Sequence, residues 1–328
     1  MPIDWTGFAE LVHRHQRFLL TTHVRPDADG LGSMLALAGG LAWMGKDSRL
    51  VLASTFPSRY RFMDPEGLLR QFDPPWDEYR SAQAVVILDT GTWNQLGAFG
   101  TFLKDFPGPR VVIDHHLTQD DLGAKRYVDT AAEATGRLVH EALGHLGVPI
   151  SPGIASHLFC ALAMDTGWFR HGNTRPESLE LGGALVRAGA NPTALYEELF
   201  ERNSLGRLRL LGRVLERLGT ACEGRVAWLE LYQSDYEATG SKPQDSEDLV
   251  NYPRSLDGVE VGLFLMEQPR GGVKVSFRSK GLVDVAKLAE RWGGGGHRQA
   301  SGAILMTTLA EARARVLEAL ATELQPSS

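Results

Sequence analysis

Cysteine is scarce in this chain of 328 residues: two occur, Cys160 and Cys222, too few for a disulfide framework. Both stand in apolar-periodic segments and read as small core residues. Long apolar runs are missing as well, so no segment is expected to span a bilayer and no membrane partner is expected. The N-terminus shows no basic region leading into an apolar one, which makes the expected location cytoplasmic. Excess positive charge is absent too. The 34 Lys and Arg stand against 40 Asp and Glu, for a formal net charge of −6. That balance excludes a general polyanion binder, and long-duplex nucleic acid is not an expected partner. No internal repeat or low-complexity tract is evident.

What remains is ordinary globular composition, 43% hydrophobic and 23% charged, in a chain longer than one core usually organises. Two domains are therefore expected, and a homodimer is compatible with the composition. Residues 3–16 have helical spacing. Phe18-Leu19-Leu20-Thr21-Thr22 reads as a strand that ends on His23 and a loop carrying Asp27 and Asp29, with Pro26 and Gly30 opposing regular structure. A small-residue apolar helix follows over residues 31–44. Strands over residues 49–52 and 84–88 come next, the second ending on Asp89. Val111-Val112-Ile113 then stops abruptly on Asp114-His115-His116. A helix is expected around residues 137–146, and another over 154–164 that ends on Asp165, an acid at the negative end of a helix dipole.

Asn191-Pro192 marks a helix start, and residues 193–218 read as a helical connector. Strands over 226–231, 259–266 and 273–277 are expected beyond it, with a polar loop over residues 234–248. An amphipathic helix (283–292), a glycine run (293–296) before His297, a strand (301–306) and a closing helix (309–324) complete the pattern. His13, His15, His140, His145, His157 and His171 lack paired acids and read as surface or packing residues.

Strand and helix ends thus collect Asp27, Asp29, Asp89 and Asp165 with His23 and His115, and Asp114 and His116 beside them. So many carboxylates cannot share a site without a strong cation, because like charges would drive some to protonate. Two divalent ions about 3.5–4 Å apart resolve the conflict and are the usual engine of phosphoester hydrolysis. Mixed oxygen and nitrogen donors suit Mn²⁺ better than Mg²⁺.

His23-x-x-x-Asp27-x-Asp29, the strand-ending Asp89, Asp114-His115-His116 and Asp165 resemble, in order, the four motifs of the DHH phosphoesterase superfamily. The run Gly293-Gly294-Gly295-Gly296-His297 resembles the signature of its companion, the DHH-associated domain. The likeness is greatest to the bifunctional oligoribonucleases that also dephosphorylate 3′-phosphoadenosine 5′-phosphate (the nanoRNase type). It implies an α/β fold: an N-terminal, mostly parallel sheet flanked by helices, a smaller C-terminal α/β domain, and an active site in the cleft between them. The implied boundaries are 1–190 for the DHH domain, 191–218 for the connector and 219–328 for the substrate-binding domain.

By position, the resemblance implies that His23 and Asp27 hold one metal, that Asp29, His115 and Asp165 hold the other, and that Asp89 bridges. Asp114 would orient the histidines, and His116 would act on the transferring phosphate. Short RNA or nucleotides are the implied partners.

Arg278, Ser279, Gly294, Gly295, Gly296, His297 and Arg298 are the expected substrate-binding residues. Seven Lys or Arg against two acids over residues 270–298 give this stretch a local basic excess. Arg278 at a strand end can grip a phosphate with its planar fork. A phosphodiesterase for cyclic di-AMP or pApA would use the same site. A manganese pyrophosphatase would lack the glycine-rich domain, and a non-catalytic nucleotide-binding module would show a broken ligand set.

Overall fold

Apolar runs too short for helices and rich in β-branched residues form the strands of a parallel sheet, and the residues that follow them carry the chemistry. A computed structural model describes residues 3–324. Its contacts divide the chain into one unit ending at Arg202 and another beginning at Asn203.

In chain order the first unit comprises α1 (Thr6–Arg14), β1 (Arg17–Thr22), α2 (Ala28–Trp43), β2 (Asp47–Leu52), β3 (Leu69–Gln71), β4 (Ala84–Leu88), α3 (Gly97–Lys104), β5 (Arg110–Asp114), β6 (Lys125–Val128), α4 (Thr135–His145), α5 (Pro152–Asp165), α6 (Pro176–Arg187) and α7 (Pro192–Tyr196). The strands lie in the order β3-β2-β1-β4-β5-β6, and every neighbouring pair is parallel. Both faces are covered, as parallel sheets require. Leu20, Val86 and Ile113 point to the side of α1, α2, α4 and α5. Leu19, Val85, Ile87 and Val112 point to the other side, against Phe99 and Phe102 of α3.

From β1 the chain steps outward to β2 and β3, then returns to the opposite flank of β1 for β4. The order therefore reverses between β1 and β4, and the crevice at such a reversal is where open α/β sheets bind ligands. His23 follows β1 and Asp89 follows β4, so both stand at this point.

Close helix packing brings the remaining acids there. A Cβ on Gly32 of α2 would lie 2.4 Å from the His157 carbonyl oxygen of α5, and one on Gly136 of α4 would lie 2.6 Å from Ala161 Cβ. Glycine at these points lets α2, α4 and α5 converge, and with them Asp29 and Asp165.

The second unit comprises α8 (Leu205–Leu215), β7 (Gly219–Ala221), β8 (Val226–Leu231), α9 (Gln233–Thr239), α10 (Asn251–Arg254), β9 (Val261–Glu267), β10 (Val273–Ser279), α11 (Val285–Glu290), β11 (Gly295–His297), β12 (Ala300–Leu305) and α12 (Leu309–Glu323). Its sheet runs β11-β12-β10-β9-β8-β7, antiparallel except for the β8–β9 pair. Val275, Phe277, Leu263 and Leu265 pack under α11 and α12, while Phe264 and Leu229 pack on the other face against Leu210 and Val214 of α8.

Three expectations need correction. Residues 23–30 do not form one loop: Asp27 caps α2 by accepting from the Asp29 and Gly30 amides, so Asp29 and Gly30 lie in the first helical turn. Residues 193–218 are not one helix. A π-helical turn at Glu197–Glu201 ends the first unit, and Ser204 starts α8 afresh by accepting from the Arg207 amide at 2.9 Å. The expected loop at 234–248 contains α9. It is pinned by buried Asp235, which accepts from the Tyr232 amide and from the guanidiniums of Arg213 and Arg217.

Gly32→Ala tests the packing argument. The added methyl meets a backbone carbonyl that cannot rotate away, so the variant should lose about 1–3 kcal/mol of unfolding free energy in urea. A loss below about 0.5 kcal/mol would show that the α2–α5 contact relaxes freely.

Candidate metal centre

Each acid and imidazole reaches the centre by a different local device. Asp89 follows β4 in a left-handed conformation, φ 63°, which costs a non-glycine residue about 1 kcal/mol and is typical of functional positions. Its carboxylate is buried and faces both ways: Oδ2 lies 3.4 Å from His23 Nε2, and Oδ1 lies 3.6 Å from His115 Nε2. On the first side, His23 Nε2 is also 3.7 Å from Asp27 Oδ1. On the second, His115 Nε2 is 3.8 Å from Asp29 Oδ2 and 3.7 Å from Asp165 Oδ2. The structure thus brings all six expected ligands together. They form the groupings His23–Asp27–Asp89 and Asp29–His115–Asp165, with Asp89, His115 and His116 as a third.

The ring tautomers are fixed from outside. His23 Nδ1 donates to the Val24 carbonyl at 2.9 Å, and His115 Nδ1 donates to the Ala132 carbonyl at 3.1 Å. Each Nε2 is thereby directed at the acids, where it can serve as a metal ligand once it carries no proton. Asp114 is fully buried at the end of β5. Its Oδ1 accepts from the His115 and His116 amides and, at 2.7 Å, from His116 Nδ1. Asp114 therefore orients the ring of His116 alone, since the ring of His115 is held by Ala132. This narrows the expectation that it would orient both.

Ligand-free, the cluster is electrostatically frustrated. Burial, and then repulsion from Asp89, Asp165 and Asp27, holds the Asp29 carboxyl well above the usual range. Burial, partly offset by His115, and then the charges of Asp89 and Asp27 push Asp165 up to about 6. Burial disfavours a charged His23, but the facing carboxylates of Asp27 and Asp89 outweigh it and push the imidazole up to about 11. For His116, the Asp114 hydrogen bond outweighs burial and pushes it up to about 9.

These donors fit divalent cations. Separations of 3.4–3.8 Å are too long for hydrogen bonds. They lie within the span of about 3–4.2 Å expected of two atoms each about 2.1 Å from one ion. A cation would also replace the protons that the crowded carboxylates otherwise need.

Several supporting residues escaped the sequence reading. Thr135 donates its amide to Asp29 Oδ2 at 2.7 Å and its hydroxyl to Asp89 Oδ1 at 2.9 Å; the Gly136 amide and the Ser33 hydroxyl reach Asp29 Oδ1. These amides open α4, where the helix dipole favours an anion. The signal available was a helix start near residue 137, but nothing in the sequence tied it to an acid 106 residues earlier. His171 and Asn173 bond the Asp165 carbonyl. Ring packing of His171 over Gly167 and the bond from half-buried His157 to the Met63 carbonyl are structural contacts.

The expected substrate residues all lie in the second unit, and they do not form one group. Arg278 pairs across strands with Ala300, which pairs with His297; directly opposed residues share a face, so Arg278 and His297 stand on one row. Ser279 points to the other face, is buried, and accepts from the Gly281 amide at 2.9 Å. A Cβ on Gly294 would meet the Gly302 carbonyl oxygen at 2.2 Å, and one on Gly296 would meet the Ala300 carbonyl oxygen at 2.5 Å, whereas Gly295 faces open space. Arg298 stands exposed at the turn between β11 and β12 and reaches the Gly281 carbonyl at 3.4 Å.

Carboxylates and imidazoles gathered where a parallel sheet reverses its order define a metal-dependent hydrolase. Comparison with known proteins gives the family. Residues 17–162 match the DHH family, N-terminal domain, and residues 230–325 match the DHHA1 domain. The chain is 33% identical over 307 residues to the bifunctional oligoribonuclease and PAP phosphatase NrnA of Thermus thermophilus, covering 93% of this chain and 89% of that one. It is 26% identical over 308 residues to the protein of the same name in Bacillus subtilis, covering 91% and 92%. The crystal structure of an exopolyphosphatase-related protein from Bacteroides fragilis superposes with a TM-score of 0.92 at 25% identity, covering 98% and 97%. The chain belongs to the DHH family of metal-dependent phosphoesterases.

Removing the shared carboxylate should be most costly. Divalent cation at about 100 times its dissociation constant should stabilise the parent protein by about 2.7 kcal/mol. Asp89→Ala should lose most of that gain in thermal unfolding while remaining folded. An equal gain in both proteins would mean that Asp89 is no ligand.

Proposed function

We propose that the chain is a two-metal phosphoesterase that hydrolyses short oligoribonucleotides to nucleoside 5′-monophosphates and 3′-phosphoadenosine 5′-phosphate to AMP. The observation that carries this reading is the two-sided Asp89 carboxylate, one oxygen toward His23 and the other toward His115. The names of the Thermus and Bacillus relatives support the substrate class.

In this reading His23 and Asp27 hold one ion, Asp29, His115 and Asp165 hold the other, and Asp89 bridges. Two divalent cations, when bound, supply Lewis acidity toward the phosphoryl oxygens and toward water. The mixed oxygen and imidazole donors favour Mn²⁺. His116, charged and turned by Asp114, donates a hydrogen bond to the phosphoryl group as negative charge grows there. Asp114 itself touches no substrate and keeps the ring in place.

The second unit recognises the nucleotide. Arg278 and His297 share a sheet face there, and Gly295 and Arg298 lie beside them. Ser279 and the backbone-packed Gly294 and Gly296 shape the strand ends that carry them. Net charge of −6 and a basic stretch confined to residues 270–298 favour strands of a few nucleotides over long RNA.

Labelled dinucleotide, 3′-phosphoadenosine 5′-phosphate, cyclic di-AMP and pyrophosphate should be compared side by side. The first two should be turned over fastest, and only with divalent metal restored after chelation. His116→Ala should lower kcat by about 10²–10³-fold with little change in KM. Arg278→Ala should mainly raise KM. In competition, a trinucleotide should be cut in preference to a strand of about twenty nucleotides, which has no broad basic surface to hold it. Better kcat/KM on the long strand, or on pyrophosphate, would overturn the assignment.

A further inference from the structure

Arg254 is an arginine for which the nucleotide-binding reading has not yet accounted. It closes α10, which packs on β9 and β10. Gly262 of β9 is the reason it can sit there: a Cβ at Gly262 would fall 2.8 Å from Arg254 Cβ and 2.6 Å from its amide nitrogen. Gly262 in turn pairs directly with Arg278. Opposed residues of antiparallel strands share a face with Cβ atoms about 4.5–5.5 Å apart, so Arg254 occupies the side-chain position next to Arg278.

The two guanidiniums stand close enough to repel. The Nε of Arg254 is buried and has no acceptor among the described residues. Arg278 is part-buried and, among the described residues, bonds the carbonyl of its neighbour Phe277 at 3.0 Å. Burial, with Arg254 adding to it, makes the charged form of Arg278 less favourable than usual, and Asp248 works in the other direction. Other arginines of this unit are arranged differently. Arg213 and Arg217 bond Asp235, Arg313 bonds Glu230, and Arg291 bonds Glu323. A buried donor without an acceptor is costly, and two neighbouring guanidiniums match an oxyanion that offers two or three oxygens.

Resting on the nucleotide phosphoesterase reading above, we propose that Arg254 is a substrate-binding residue that, with Arg278, seats a non-reacting phosphate of the nucleotide. The three groupings that could hold a metal all belong to the other unit, and the phosphate assigned to this pair is a non-reacting one. Gly262 is the enabling position, because any side chain there would evict Arg254.

The test is binding to the full chain with metals removed by chelator, so that hydrolysis plays no part. AMP and adenosine are the probes, since they differ only in the phosphate. The parent should bind AMP at least about 10-fold more tightly than adenosine. Arg254→Gln should weaken AMP binding about 10–100-fold and leave adenosine unchanged. Arg254→Lys, which keeps the charge and stem but not the fork, should fall between them. Gly262→Ala should reproduce the loss with both arginines still present. In turnover, Arg254→Lys should raise KM for a dinucleotide with a terminal phosphate and spare one without it, with kcat held in both. Equal AMP affinity in the parent and both Arg254 variants would overturn the proposal, as would a parent that binds AMP no better than adenosine. A parent that binds AMP through the pair yet hydrolyses none of the four substrates would sink the proposed function and leave this site standing.

Discussion

Four aspartates converge within a few ångströms of one another, and the first unit is arranged around the repulsion that results. Asp29 and Asp89 are buried, where an unpaired carboxylate is most costly. The chain offsets part of that cost with neutral donors: two amides from the start of α4, the Thr135 and Ser33 hydroxyls, and the dipole of the helix behind them. It offsets another part with His23 and His115. The remainder calls for a cation, so the fold holds a site in which metal binding and carboxylate ionisation are one equilibrium. Strain at Asp89 fits the same picture. A left-handed aspartate lets one carboxylate address two imidazoles from strands on either side of it, which an extended residue continuing β4 could not do.

The second unit shows what the same chain does with positive charge when stability is the only requirement. Asp235 is buried and takes both Arg213 and Arg217, so α8 and α9 are joined by bonds that use most of its acceptor capacity. Arg254 and Arg278 have no such carboxylate bond among the described residues, although the backbone geometry that places them is equally specific. A protein that needed only to fold could have kept a side chain at position 262 and a neutral residue at 254. Within this unit the arginines bonded to Asp235 hold helices together, and Arg254 and Arg278 are the pair to which the phosphate is assigned.

Much of this was legible in the sequence because the informative residues stand at punctuation points. A strand is visible as an apolar run, and an acid or histidine at its end is visible as an interruption; β1, β4 and β5 all announced themselves this way. The clustered acids and imidazoles were therefore nameable before their geometry was. Short edge strands such as β3, β6 and β7 carry three or four residues each, too few for a periodic signal against irregular flanks. Helix α9 was hidden because its stability comes from Asp235 meeting arginines about twenty residues away, a tertiary contact that local propensity does not report. The loop reading at residues 23–30 underestimated Asp27, which caps a helix with one oxygen while facing His23 across 3.7 Å. Thr135, Ser33 and Arg254 were silent for the same reason: their importance is set by what lies opposite them, and ordinary residue types give no warning of it.

Adjacent histidines end β5, and the sequence alone treats them alike. Their acceptors separate them. The Nδ1 of His115 meets a backbone carbonyl, a neutral dipole that fixes the ring and turns its Nε2 toward Asp29, Asp89 and Asp165. The Nδ1 of His116 meets the Asp114 carboxylate, a full charge that stabilises the imidazolium and pushes it up to about 9. A neutral imidazole is a ligand and a charged one is a hydrogen-bond donor. One buried aspartate therefore gives two adjacent imidazoles different settings, one facing three carboxylates and the other bonded to a single one. The division depends on strand β5 carrying that aspartate into the core immediately before the chain turns.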